Sequence, residues 1–263
     1  MEWKKIRAWL ILMVLAVDLF LAGNLLRQGL AARQNEREAV LDAVSVAQSR
    51  GVDISAEAVL RLPEEMTLWQ AQRSDQLESA AAQALLGEVR REAPGGGVAI
   101  HTGESGQMIF RRGGAVELDG PWTWPEFDAA TCLEALGNAG FAVEDALSAQ
   151  TGGAMELTQQ YEGCPVFNSR LTCRSETGRF LLEGRWLLAD EPAAAGVGMS
   201  RAQMVLNLCD LLESLQTALR EVRAGYYLLS EDGQSLTLEP VWAADTADGQ
   251  LVISCVSGEV LGN

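Results

Sequence analysis

The stretch AWLILMVLAVDLFLAGNLL, residues 8 to 26, constrains the chain more than any other part of it. An α-helix rises ~1.5 Å per residue, so nineteen residues span roughly 28 Å, close to the hydrocarbon thickness of a bilayer. A cleaved secretion signal carries a shorter apolar core, about 7–15 residues, closed by a small-x-small site. Here the run leads into LLRQGLAARQ, which has no clean site, and Asn24 stands where a lipoprotein signal needs a cysteine. The reading is an uncleaved transmembrane signal-anchor. Lys4, Lys5 and Arg7 before the run are balanced by Arg27, Arg33 and Arg37 after it, so the positive-inside count is a tie. The short tail favours a cytoplasmic N-terminus and an extracytoplasmic domain at the cell membrane.

One carboxylate, Asp18, interrupts the run. On insertion scales it costs ~2.5–3.5 kcal/mol at mid-bilayer, which the apolar neighbours outweigh. Two readings follow. Asp18 faces a polar group on a partner helix, with Ala22 one turn along permitting close approach, or it is a protonated or hydrated passenger.

The remaining chain is acidic. Over residues 28–263 there are 34 acids and 16 bases, a formal charge of −18. Such a domain repels nucleic acid and anionic lipid head groups, so both are excluded as ligands. Cysteines 132, 164, 173, 209 and 255 form no C-x-x-C pair, and His101 is the only histidine. No metal site and no cofactor is expected. The cysteines read as small core or strand residues, an odd count arguing against a disulfide framework.

Periodicity organises the rest. QNEREAVLDAVSVAQSRG reads as a helix with Val40, Leu41, Val44 and Ala47 on one face and Gly51 as its stop. VDISAEAVLRLPEEM holds a short helix, and TLWQAQ a strand. SDQLESAAAQALLG is a helix from Ser74 to Gly87. EAPGGG reads as a loop before three strands in VAIHTG, GQMIFRR and GAVELDG. Thr123 and Glu126 suggest a capping box for a helix ending near Gly137, followed by strands in AMELTQQYEG, CPVFNSRLTCR and GRFLLEGRWLL. ADEPAAAGVG reads as a linker. Ser200 and Gln203 open a helix with Met204, Leu208, Leu211, Leu212, Leu215 and Leu219 at three- and four-residue steps, and three strands finish the chain.

The expected fold class is therefore α+β: a single N-terminal transmembrane helix, then tandem units of one helix against an antiparallel sheet. The expected divisions are a tail and anchor at 1–27, an N-terminal α+β unit at 28–120, and two further units at 121–190 and 191–263.

Three segments carry a resemblance: MEWKKIRAWLILMVLAVDLFL, then YEGCPVFNSRLTC with GRF, then GYY, LEPVWAAD and SGEVLG. In this order the chain resembles the YycI family of membrane proteins from low-GC Gram-positive bacteria. With a relative named YycH, these regulate the WalK (YycG) sensor histidine kinase. The resemblance implies PepSY-like units, an extracytoplasmic domain, a sensor histidine kinase partner contacted partly within the membrane, and a YycH-like partner. The family's polar anchor position falls on Asp18. Its strand motif falls on Tyr161, Gly163, Pro165 and Val166, and its closing motif on Tyr226, Pro240, Trp242, Gly258 and Glu259. Over 28–120 only the general pattern matches.

No catalytic set is visible. His101 lacks a serine or cysteine partner at fixed spacing and reads as a solvated loop residue. GESG around Ser105 lacks a strand-to-helix elbow. PGGG precedes a strand rather than a helix, so it lacks the helix N-terminus of a phosphate cradle. Glu64–Glu65 and Asp190–Glu191 sit beside prolines and read as solvated turns. Tyr161, Tyr226, Tyr227, Trp186 and Trp242 are core residues of strands or the lining of a partner surface; Tyr161, Tyr226 and Trp242 are the candidates for contact. The expected function is a non-enzymatic accessory regulator of a sensor kinase. The alternative is a PepSY-like inhibitory or ligand-sensing module for a secreted hydrolase or envelope component.

Overall fold

The computed structural model describes residues 3–121, 127–151, 153–189, 191–230 and 232–262. They divide into two compact units, one formed by 1–61 with 201–216 and one by 62–200 with 217–263.

The first unit is helical. Helix α1 runs from Trp3 to Ser49, α2 from Ala56 to Arg61 and α5 from Arg201 to Leu215. The chain leaves α1 through Gly51 at φ +85°. There the Gly51 amide bonds to the Gln48 carbonyl at 3.0 Å, and the Val52 amide to the Ala47 carbonyl at 3.0 Å. These are the paired bonds of a Schellman stop. Helices α1 and α5 pack together, with Val40, Ala43, Val44 and Ala47 buried on the first and Met204, Leu208 and Leu212 on the second. Leu41, expected inward, is 45% exposed, and Ala43 takes the inward place. The Arg201 guanidinium donates to Glu36 Oε1 at 2.6 Å and to the Leu60 carbonyl at 2.9 Å, tying the three helices.

The anchor expected at 8–26 is corrected here. The apolar run is not a separate element, because α1 continues unbroken through the polar residues that follow it. Among the described residues, no helix is long and apolar enough to cross a membrane.

The second unit is built on strands: β1 (Thr67–Gln72), β2 (Arg90–Gly95), β3 (Val98–Thr102), β4 (Gln107–Phe110), β5 (Ala115–Pro121), β6 (Leu147–Thr151), β7 (Ala154–Tyr161), β8 (Cys164–Glu176), β9 (Arg179–Arg185), β10 (Ala193–Val197), β11 (Leu219–Leu229), β12 (Ser235–Thr246), β13 (Gln250–Ser254) and β14 (Val260–Gly262). Expected as tandem units, among the described residues they instead form one 14-stranded mixed sheet. The physical reason is edge satisfaction: a strand edge left between units exposes unpaired amides and carbonyls. Accordingly β5 pairs antiparallel with β9, and β8 meets β11 in parallel at Val166 and Tyr226.

Helices α3 (Asp75–Leu86) and α4 (Ala129–Asn138) contribute to one core with β3, β4, β5, β7, β8 and β9. Register explains that core. His101, Met108, Leu118, Leu182, Cys173 and Met155 pair in succession across the strands, as do Ala99, Phe110 and Val116. Paired residues share a face, so each row presents its side chains to the same side of the sheet.

Helix α3 begins at Ser74, whose side chain accepts from the Leu77 amide, and ends at Gly87, as expected. Helix α4 uses a different cap from the one expected. Its capping box is Asp128 with Thr131, while Thr123 and Glu126 lie outside the described residues. EAPGGG is a loop only at its end: its first four residues continue β2, paired with β3, and Gly96 and Gly97 make the turn between them. ADEPAAAGVG holds β10, paired with β1. Gly225 makes the β8–β11 contact possible, since a Cβ there would lie 2.4 Å from the Pro165 carbonyl oxygen.

Candidate functional site

The YEGCPV segment forms the turn between β7 and β8. Glu162 and Gly163 lie at φ +51° and +72° between the paired residues Tyr161 and Cys164. Positive φ at both central residues matches the right-handed twist of a two-residue hairpin, and glycine takes one of those positions at no steric cost. The turn projects Glu162 outward while strands on either side bring aromatic rings to it.

Glu162 Oε2 accepts from the Tyr226 hydroxyl at 2.9 Å and from the Trp69 indole at 3.2 Å. Tyr161 lies between those two residues, 5.7 Å from each ring and edge-on to both. Edge-to-face contacts at this spacing are favourable because a positive ring edge meets a negative face. Strands β1, β7, β8 and β11 thus converge on one carboxylate.

The electrostatics hold the polar groups around Glu162 in their protonated forms. Burial, then the hydrogen bond to Glu162, holds the Tyr226 hydroxyl well above the ordinary phenol range. Tyr161 is pushed up by burial, then by the negative charges of Glu162 and Glu191. Burial and Glu162 also raise the Cys164 thiol, so it is no activated nucleophile. Among the described residues, no cluster of three or more histidine, cysteine or acidic side chains could hold a metal.

The structure brings Tyr161 and Tyr226 together, but the Tyr226 ring is buried at 2% exposure and reaches the cluster through its hydroxyl on Glu162. Trp242, 2% exposed, lies inside the sheet between Ala224 and Ile253. Asp18 is exposed on α1, and Ala22 falls on the same helix with its side chain outside the described residues. His101 is not a solvated loop residue; it is fully buried on β3, edge-on to Phe110 at 5.7 Å. Trp186 is 1% exposed and belongs to the core.

Sequence reasoning missed Trp69 and Glu162. The signal for Glu162 lay inside the YEGCPV motif, at the position treated as variable. Trp69 had no local signal, because β1 reaches the cluster through its pairing with β12, which pairs with β11.

A groove of about 830 Å³ runs along β4, β5, β8 and β9. Its arginines are neutralised in place: Arg179 meets Asp119 at 2.5 Å, and Arg174 lies 4.0 Å from both Glu176 and Glu183.

No family model and no curated protein matches the sequence. Among solved structures, the chain is similar to an uncharacterized protein from Eubacterium rectale ATCC 33656, with a TM-score of 0.43 at 11% identity over 76% of this chain and 87% of that one. It is also similar to the YpeB C-terminal domain of Bacillus megaterium, with a TM-score of 0.33 at 12% identity over 73% of this chain and 100% of that domain. Likenesses of this size carry no argument about activity or partner. The resemblance to the YycI family rests on the motifs quoted for it.

Proposed function

We propose that the protein is an extracytoplasmic accessory regulator at the cell membrane, of YycI type, that binds a sensor histidine kinase together with a YycH-like partner. It works by binding rather than catalysis. The observation that supports this reading is the convergence of four strands on Glu162 at the YEGCPV turn. The motif that carries the resemblance builds an exposed carboxylate backed by three aromatic rings. Tryptophan and tyrosine are enriched among the residues that dominate contact energies, and here Trp69 and Tyr161 are half-buried at the surface while Tyr226 supports them from the core. Regulation then requires that the bound protein contact two kinase states with different free energies.

Affinity capture of the cross-linked full chain from native membranes tests this. Sensor kinase and a YycH-like protein are expected in the captured fraction, and Glu162→Gln should lower the kinase yield several-fold while leaving the fold intact. Capture of a secreted hydrolase without a kinase would overturn the reading.

That outcome would favour a PepSY-like inhibitory or ligand-sensing module. One observation supports the alternative: β6 is an uncharged strand of exposed residues that, among the described residues, pairs on one side only, in regular register with β7. An open edge of this kind accepts an extended segment by strand addition. Ala149→Lys would block such a partner without moving the melting temperature.

A further inference from the structure

The parallel contact between β8 and β11 is a single residue pair, Val166 with Tyr226. Past it the two strands are joined through a side chain. The Asn168 amide donates to the Leu228 carbonyl at 2.9 Å, and its oxygen accepts from the Leu228 amide at 2.8 Å. Beyond that bridge a cleft of about 530 Å³ opens among β8, β9, β11, β13 and β14. Its size is that of a small-molecule site.

The charge of this cleft runs against the rest of the molecule. The chain carries 36 acidic and 20 basic residues, yet the nine residues lining the cleft include Arg170 and Arg185 and no acid. Arg170 is exposed and has no carboxylate partner among the described residues. Arg185 donates from Nη1 to the Leu228 carbonyl at 3.3 Å, which orients its guanidinium without neutralising it. Elsewhere on this unit, arginines such as Arg73, Arg111, Arg179 and Arg223 pair with acids. Apolar side chains lie beside these two arginines: Phe167 and Val252, both buried, and the half-buried Tyr227 belong to one small core that reaches the cleft, with Arg223 over the Phe167 ring at 5.8 Å. Gly262 leaves room for the Tyr227 hydroxyl, which would lie 3.2 Å from a Cβ placed there. Gln250, fixed to Asp245 at 2.8 Å, closes the far side.

We propose that this cleft is a binding site for a carboxylate carried on an apolar body, with Arg170 and Arg185 taking the carboxylate and Phe167 and Tyr227 the body. Arginine suits the role because its planar fork matches the two oxygens of a carboxylate. The ligand is either a free organic acid or an acidic side chain beside an aromatic one on a partner. The site is separate from the Glu162 cluster and does not depend on the kinase reading.

The test uses the full chain and three probes: N-acetylphenylalanine, its uncharged amide, and an end-blocked peptide Gly-Glu-Phe-Glu-Phe-Gly. Binding is followed by calorimetry and by amide shifts at residues of the cleft. The acid or the peptide should bind at least tenfold more tightly than the amide, with shifts confined to the cleft. Arg170→Gln, an exposed substitution, should weaken that probe at least tenfold with the melting temperature unchanged. Binding of the acid identifies a free organic acid as the source, and binding of the peptide alone identifies a partner side chain. Equal binding of acid and amide, wild-type affinity in Arg170→Gln, or no shift with any probe at 20 mM would each overturn the proposal.

Discussion

At the scale of the residue, His101 shows what alternation alone hides. VAIHT offers two faces, and the larger apolar side chains Val98 and Ile100 are the obvious choice for the core. The structure buries Ala99 and His101 instead, because their register partners Phe110 and Met108 lie in the core. Among the described residues, neither ring nitrogen has a hydrogen-bond partner. Burial, then the positive charge of Arg91, lowers the pKa of the ring, with Asp75 opposing. Between the lowered value and the ordinary one near 6.5 the unfolded chain binds a proton that the folded chain refuses, so stability is full above that range and is lost as pH falls through it. His101→Leu should therefore melt close to wild type at pH 7.5 and lose less stability than wild type on going to pH 5. Equal acid sensitivity in thermal melts would refute the burial. Gly225 makes the complementary point: nothing in GYY announces that its missing side chain matters. Gly225→Ala drives a methyl against the Pro165 carbonyl and should cost about 1–3 kcal/mol in denaturant unfolding.

At the scale of the element, what the sequence disclosed was local chemistry. Ser74 and Gly87 bound α3 because a side-chain cap and a left-handed stop need only neighbouring residues. Strands β2, β6 and β10 are not legible in the sequence, because their exposed residues carry no apolar alternation and pairing alone defines them. Edge protection reads the same way. Strand β2 bears Arg90, Arg91, Glu92 and Pro94, and β10 skips a residue at Ala195 in a bulge against β1. Both devices discourage edge-to-edge pairing, and β6 has neither. A buried ion pair then locks α3 to the strands. Arg73 donates to Glu78 from Nε at 2.8 Å and bonds to the carbonyls of Gly97 and Gly233 at 2.5 and 3.3 Å. Burial dominates Glu78 and raises its pKa despite that arginine. Removing one partner strands a charge, so Arg73→Met should cost about 3–5 kcal/mol, and adding Glu78→Met should recover part of it. A double variant as unstable as the single, by denaturant titration, would contradict this.

At the scale of the whole molecule, the helix-then-strands order was legible and its assembly was not. Order follows from periodicity, but nothing local states that β5 pairs with β9 or that β8 touches β11. The anchor fails for a related reason: the apolar window is not an element by itself, because the structure continues it into a 47-residue helix. The Glu162 cluster was half visible, through Tyr161 and Tyr226, because its other ring arrives from a strand some ninety residues away in sequence. Its tyrosines and thiol have raised pKa values, so all three keep their protons. We propose that this contact changes the activity of a sensor kinase. The direct measurement is autophosphorylation of the purified full-length sensor kinase in lipid vesicles, with and without saturating full-length protein. The account predicts a change of several-fold in rate, reduced by Glu162→Gln at matched binding temperature and salt. An unchanged rate at saturation would contradict it.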